Sequence, residues 1–314
     1  MQTSNITSGN GGKERLKIFG HLGAFLTVAA WGSSFIATKV LMEDGGFTPV
    51  EVFLYRFTLA YLILLIFTFK HIRSNNWRDE FQFLICGICS GSLYFITENY
   101  ALQYTTAGNV SLLSALSPIF TTLLMALVFR ARIPNGVIIG SVVAAVGAGC
   151  VVMSHGEELS FNPLGDLLAL SSALSWAVYA ILVKRLTPHY STFFVTRKLF
   201  FYGVITALPL LLIQKEPYHL YELFDISNPT YLLNFLFLAL ICSLTAYILW
   251  NESMKILGPV TTNNYIYMQP LATMVIAYFL LSEKIYLLGY IGCALVIGGL
   301  IIADKLDFNK LRKK

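Results

Sequence analysis

The stretch Trp31-Gly32-Ser33-Ser34-Phe35-Ile36-Ala37-Thr38-Lys39 has a counterpart far along the chain, Trp176-Ala177-Val178-Tyr179-Ala180-Ile181-Leu182-Val183-Lys184, in which tryptophan and lysine again stand eight residues apart. The offset is 145 residues. Further along, the register becomes 152: Asn99 falls on Asn251, Pro118 on Pro270, Thr121 on Thr273, Ile133 on Ile285, Gly140 on Gly292 and Gly147 on Gly299. Self-similarity at a fixed offset marks two copies of one structural unit. Both copies run through long apolar stretches, so the next question is which solvent surrounds them.

Composition answers it. Of 314 residues, 56% are AVILMFWYC and only 12% are charged, about half the ~25% usual in soluble domains. Mean hydropathy is +0.67. This excludes a soluble enzyme, a secreted disulfide scaffold, a disordered chain and a nucleic-acid binder with a basic groove. A helix needs about 20 mostly apolar residues to cross the ~30 Å hydrocarbon core. Ten segments qualify, at roughly 20–42, 50–69, 81–102, 107–129, 136–153, 164–184, 193–213, 231–254, 260–281 and 286–303. The expected fold is an all-α membrane protein of ten transmembrane helices. The third and fourth are separated only by residues 103–106. Residues 1–19 form a polar tail, and 304–314 a basic one. The apolar run after the first tail is too long for the core of a signal peptide and reads as an uncleaved first span.

Charge sets the expected orientation. With the N-terminus in the cytoplasm, 18 of the 22 Lys and Arg fall on the cytoplasmic side, a strong positive-inside bias that places both termini there. The net charge of +5 is therefore a topology signal, with the lipid bilayer as partner and no nucleic acid. The repeats, 20–153 and 164–303, hold five helices each. Five is odd, so the second must lie inverted in the membrane. Inverted repeats around a midplane cavity are an architecture of secondary transporters.

The chain resembles the drug/metabolite transporter superfamily in its ten-helix EamA branch. The resemblance rests on Trp31-Gly32-Ser33-Ser34-Phe35 through Lys39, on Arg56, and on Glu98-Asn99-Tyr100-Ala101-Leu102 ahead of Pro118. Pro270 through Glu283-Lys284 and the Gly-rich last helix of each half also carry it. It implies two five-helix repeats around a central cavity. It also implies a permease for a small-molecule substrate such as an amino acid, other metabolite or drug, commonly acting outward across the bacterial inner membrane. One departure is Ala131, where the family has an acidic residue; its counterpart Glu283 is kept.

Within the spans, charge and polarity mark the candidate site. Glu98 shares a helical stripe with Ser90 and Tyr94, four residues apart. It reads as a proton-coupling or substrate-amine site, or else as a carboxylate near the outer end bonded to a neighbouring helix; Glu252 is similar but nearer the inner end. Lys39, Arg56, Lys184 and Arg197 stand near the mouths, where such side chains usually snorkel to water. Arg56 is the exception, because Phe57 to Phe69 continue the span beyond it. Polar stripes run along the fourth helix (Asn109, Ser111, Ser114, Thr121) and the ninth (Asn263, Tyr267, Gln269, Thr273). These groups line a watered cavity or bond between helices. Pro118 and Pro270 each remove a helical hydrogen bond, making them matched hinge candidates. Trp31 and Trp176, with Ser34 and Tyr179 on the same spans and Asn99 beside Glu98, complete the expected substrate-binding set.

The remaining motifs read as structural. Cys86 and Cys89 have the spacing of half a metal or redox site but lack a second pair, and no metal or cofactor is expected. The five His lie at span ends or in connections, and no phosphate loop is present. Gly87-x-x-x-Gly91, Gly136-x-x-x-Gly140 and Ala144-x-x-x-Ala148 are close-packing patterns that would also suit a homodimer. The expected function is a secondary transporter, with an intramembrane enzyme or a receptor-like membrane protein as the alternative.

Overall fold

The computed structural model describes residues 5–105, 107–130, 132–153, 162–213, 218–225, 229–281 and 286–305. The expected positions Ala131, Glu283 and Lys284, and the tail beyond 305, lie outside them. Every regular element among the described residues is helical. The helices are α1 (Asn5–Lys39), α2 (Pro49–Thr68), α3 (Trp77–Gly87), α4 (Leu93–Tyr104), α5 (Ala107–Ser114), α6 (Ser117–Phe129) and α7 (Asn135–Met153) in the first half. The second half holds α8 (Pro163–Leu186), α9 (Thr192–Ile213), α10 (Pro229–Leu236), α11 (Ala246–Leu257), α12 (Pro259–Asn264), α13 (Gln269–Leu281) and α14 (Leu287–Lys305). Eight helical stretches are long and apolar enough to cross a membrane, and Leu287–Ala303 is a shorter apolar helix. The protein is a multi-pass membrane protein.

Local chemistry explains the ends. A capping box opens α2: the Thr48 hydroxyl accepts from Glu51 N at 3.2 Å, and the Glu51 carboxylate accepts from Thr48 N at 2.9 Å. Asn76 caps α3 by accepting from Asp79 N at 2.8 Å, and Asn162 caps α8 by accepting from Gly165 N at 3.0 Å. Gly258, at φ 84°, takes the left-handed turn between α11 and α12 that a side chain would resist. One boundary differs from the expected 20–42: α1 begins at Asn5. Hydropathy marks where a helix meets lipid and is blind to a polar extension of the same helix.

Each half carries two matched interruptions. A π-helical stretch, Ile88–Ser92, joins α3 to α4, and another, Phe237–Thr245, joins α10 to α11; the 152 register lays the first within the second. A π turn leaves carbonyls without their usual partner. Ser90 O accepts from the Tyr247 hydroxyl at 2.6 Å, and Cys242 O accepts from Trp31 Nε1 at 2.9 Å. Ser90 and Cys242 are themselves 152 apart, so each half satisfies the bulge of the other. The second interruption comes just before the matched prolines. Ala115 and Leu116 break α5 from α6, and a 3₁₀ turn at Tyr265–Met268 breaks α12 from α13.

The halves interlock. Helix α1 packs on α11 and α4 on α8, α6 packs on α8 and α13 on α1, while α2 packs on α9 and α7 on α14. Exchanging the repeats turns this set into itself. At the α7–α14 seam Gly140 meets Gly299, and Gly147 meets Gly292, so these two equivalent helices run antiparallel. The main core joins Phe53, Phe57, Tyr179, Phe200, Tyr247 and Trp250, drawn from both halves.

Candidate functional site

A narrow cavity lies where the halves meet. Its wall comprises Trp31, Ser34, Arg56, Tyr94, Phe95, Glu98, Ser114, Ser117, Trp176, Tyr247, Ile266 and Gln269. Eight of these twelve are four repeat-related pairs. Trp31 matches Trp176 at 145; Phe95 matches Tyr247, Ser114 matches Ile266, and Ser117 matches Gln269, all at 152. The wall is thus assembled twice from the same positions, one set per repeat. Its charge is not duplicated. Glu98 corresponds to Trp250 and Tyr94 to Ala246, so both ionisable groups of opposite sign, Glu98 and Arg56, come from the first half.

Aromatic rings build most of the wall. Trp31 meets Trp176 edge-on at 5.2 Å, Tyr247 at 5.6 Å and Trp250 at 5.0 Å between ring centres. Tyr94 lies 5.1 Å from Trp176. Such contacts hold the rings in fixed, offset geometries. Polar groups punctuate them. The Tyr94 hydroxyl donates to Glu98 Oε1 at 2.7 Å, one helical turn along α4. The Arg56 guanidinium lies 4.3 Å from the centre of the Phe95 ring and 5.4 Å from that of Phe57. Ser114 and Ser117 present hydroxyls with no protein partner. A small solute with an apolar body and a few polar groups matches this lining.

The expected site residues divide into wall and support. Trp31, Ser34, Tyr94, Glu98, Ser114, Trp176 and Gln269 meet at the cavity. Asn263 lies behind it, accepting from Trp176 Nε1 at 3.3 Å and donating to Thr121 at 2.5 Å, which holds the indole in place. The Tyr179 hydroxyl donates to Asn251 Oδ1 at 2.6 Å, and Asn251 donates to Thr196 at 3.1 Å, tying α8, α11 and α9 together. Asn99 donates to Pro49 O at 3.3 Å. Tyr267 is buried in the core of the α7–α14 seam. Pro118 and Pro270 are buried beside the breaks in their helices. The Asn109 side chain lies outside the described residues. Glu252 is bonded to Thr192, away from the cavity. Cys86 and Cys89 are buried free thiols.

Arg56, Phe95, Ser117, Tyr247 and Ile266 join the wall without having been in the expected set. Tyr247 and Phe95 are 152 apart, so the register would have found one from the other. A second, more open recess lies between α1, α7, α12 and α14. There His21 Nδ1 and the Tyr265 hydroxyl are 2.8 Å apart. Tyr265 sits beside Ile266, which lines the central cavity, so the two spaces flank the same 3₁₀ turn.

Comparison with known proteins agrees with this architecture. An uncharacterized transporter of Archaeoglobus fulgidus is 26% identical over 289 residues, covering 90% of this chain and 96% of its own. A probable terminal-alkyne amino-acid exporter of Streptantibioticus cattleyicolor is 26% identical, covering 92% and 94%. A solved crystal structure superposes with a TM-score of 0.74 at 19% identity, covering 92% of this chain and 98% of its own, and so shares the fold. The EamA-like transporter family matches twice, at residues 18–153 and 163–303. With a match over both halves, the chain belongs to the EamA-like transporter family, which is a family of transporters and not of enzymes.

Proposed function

We propose that the protein is a secondary transporter of ten spans in two inverted repeats, which moves a small amino-acid-like solute out of the cell. It works by alternating access across the inner membrane, with both termini cytoplasmic. The observation that carries this reading is the wall built from the same positions of both repeats, with Glu98 buried in it. Two similar halves related by a pseudo-two-fold can rock between inward-open and outward-open states of similar energy. The antiparallel α7–α14 seam supports the inversion, and the matched breaks before Pro118 and Pro270 supply flexible points in each half.

Glu98 couples the solute to a proton. A carboxylate held in a mostly aromatic wall accepts either a proton or the ammonium group of a solute, and the two compete. A proton entering from outside displaces the solute, and the solute loading from inside displaces the proton. Tyr94 orients the carboxylate through its hydroxyl. The name of the Streptantibioticus relative supports an amino-acid-like cargo and outward direction.

The test is flux in liposomes carrying the purified protein, with radiolabelled amino acids and an imposed pH gradient. Wild type should drive accumulation of at least one of them. Glu98→Gln should lose the pH-driven accumulation while retaining exchange at lowered affinity. Flux of the variant equal to wild type would reject the role of Glu98, and absence of any flux in wild type would reject the cargo class.

A further inference from the structure

We propose that the Arg56 guanidinium receives a carboxylate on the transported solute, which makes the solute a zwitterion whose ammonium group lies at Glu98. This rests on the reading that the cavity holds the solute. Arg56 is 4% exposed and lines the cavity. Its Nε has no hydrogen-bond partner. The ion pairs among the described residues join Lys39 to Glu43, Lys198 to Glu80 and His219 to Glu51, so no carboxylate lies within 4.0 Å of Arg56. Phe95 and Phe57 lie against the guanidinium, 4.3 Å and 5.4 Å from its carbon to their ring centres, and a ring face offers the cation attraction without accepting a conventional N–H···O bond.

The second half shows what the same residue does in a structural role. Phe53-Leu54-Tyr55-Arg56 in α2 resembles Phe194-Val195-Thr196-Arg197 in α9, at an offset of 141 that is shorter than the 145 and 152 of the flanking stretches. Arg197 donates to Thr68 O at 3.1 Å, His71 O at 2.8 Å and Ile72 O at 2.9 Å, closing the end of α2. Arg56 makes no such bonds. Glu98 acts on Arg56 electrostatically, but from beyond 4.0 Å. A buried guanidinium with no bonded carboxylate among the described residues is costly, and its planar fork matches a carboxylate in two-point contact. Glu98 on the same wall sets the sign balance. An anion alone would leave Glu98 unmatched, and a cation alone would leave Arg56 unmatched. A zwitterion answers both, with its apolar part against Trp31 and Trp176.

The experiment is calorimetric titration of the detergent-solubilised protein with L-leucine, L-methionine and L-phenylalanine, and with their amides, which keep the ammonium and lose the carboxylate. Wild type should bind at least one of the acids about ten-fold or more tighter than its amide, which corresponds to about 1.4 kcal/mol. Arg56→Gln should bring that ratio close to one by weakening the acid, with the amide's affinity little changed, and Arg56→Lys should recover part of the preference. An acid-to-amide ratio near one in wild type overturns the proposal while leaving the cavity as the solute site. A ratio that Arg56→Gln leaves intact also overturns it. Wild type binding neither acids nor amides overturns this proposal together with the amino-acid reading beneath it. The wild-type ratio stands whether or not the variants fold.

Discussion

Replacing Gly147 by alanine tests the closeness of the seam between the two halves. A Cβ built there lies 2.7 Å from Val296 N, 2.8 Å from Gly292 O and 2.8 Å from Leu295 Cβ. Ordinary contact begins near 3.4 Å, so α7 and α14 must part locally by about 0.6–0.7 Å. Two of the three atoms are backbone and cannot rotate away. Overpacking of this kind costs about 1–3 kcal/mol. Alanine favours the helix over glycine by ~1 kcal/mol, so the net change should be destabilising by up to about 2 kcal/mol. Gly298→Ala is the control, because a Cβ there meets nothing within 4 Å. Thermal unfolding of purified protein in detergent should give a lower midpoint for Gly147→Ala and an unchanged or higher one for Gly298→Ala. Equal midpoints for the two variants would refute the packing described for the seam.

Three further outcomes follow from the same structure. Arg197→Gln should lower the unfolding midpoint, since losing its donors leaves carbonyls at the end of α2 unpaired at about 1–3 kcal/mol; a neutral variant in the same thermal assay would remove Arg197 from its capping role. Trp31→Ala should destabilise by about 3–5 kcal/mol, measured by denaturant or thermal unfolding, because it empties the centre of the aromatic cluster and frees Cys242 O. Reporter fusions at both termini should read cytoplasmic, and an external C-terminus would contradict the inverted arrangement.

Much of the fold was legible in one dimension because membrane helices obey a length rule. Apolar runs announced eight of the ten expected spans as long apolar helices, the ninth being broken at Tyr265–Met268 and the tenth shorter, and Trp31/Trp176 with Gly147/Gly292 announced the duplication. The breaks were legible only where proline stood beside them. Nothing in Ile88-Cys89-Ser90-Gly91-Ser92 distinguishes a π turn from ordinary helix; the turn depends on donors from α8 and α11. The site was legible in part. Helical spacing put Tyr94 and Glu98 on one stripe, and their hydrogen bond follows from it. Asn263, Tyr179 and Asn99 are equally polar, yet each bonds to a helix distant in sequence, a fact no local pattern contains. Arg56 and Arg197 look alike in sequence. Depth along a helix can be counted, but which neighbour a side chain meets is set by tertiary packing.

The claim that both repeats together form a cavity opening alternately to each side is tested most directly by labelling Ser117→Cys. The background is a flux-competent protein with its five native cysteines replaced. Ser117 lines the cavity and its counterpart Gln269 lies on the same wall. A membrane-impermeant thiol reagent should label it in right-side-out and in inside-out vesicles alike, and a transported amino acid should slow both reactions. Labelling from one side only, under every gradient applied, would contradict alternating access through this cavity.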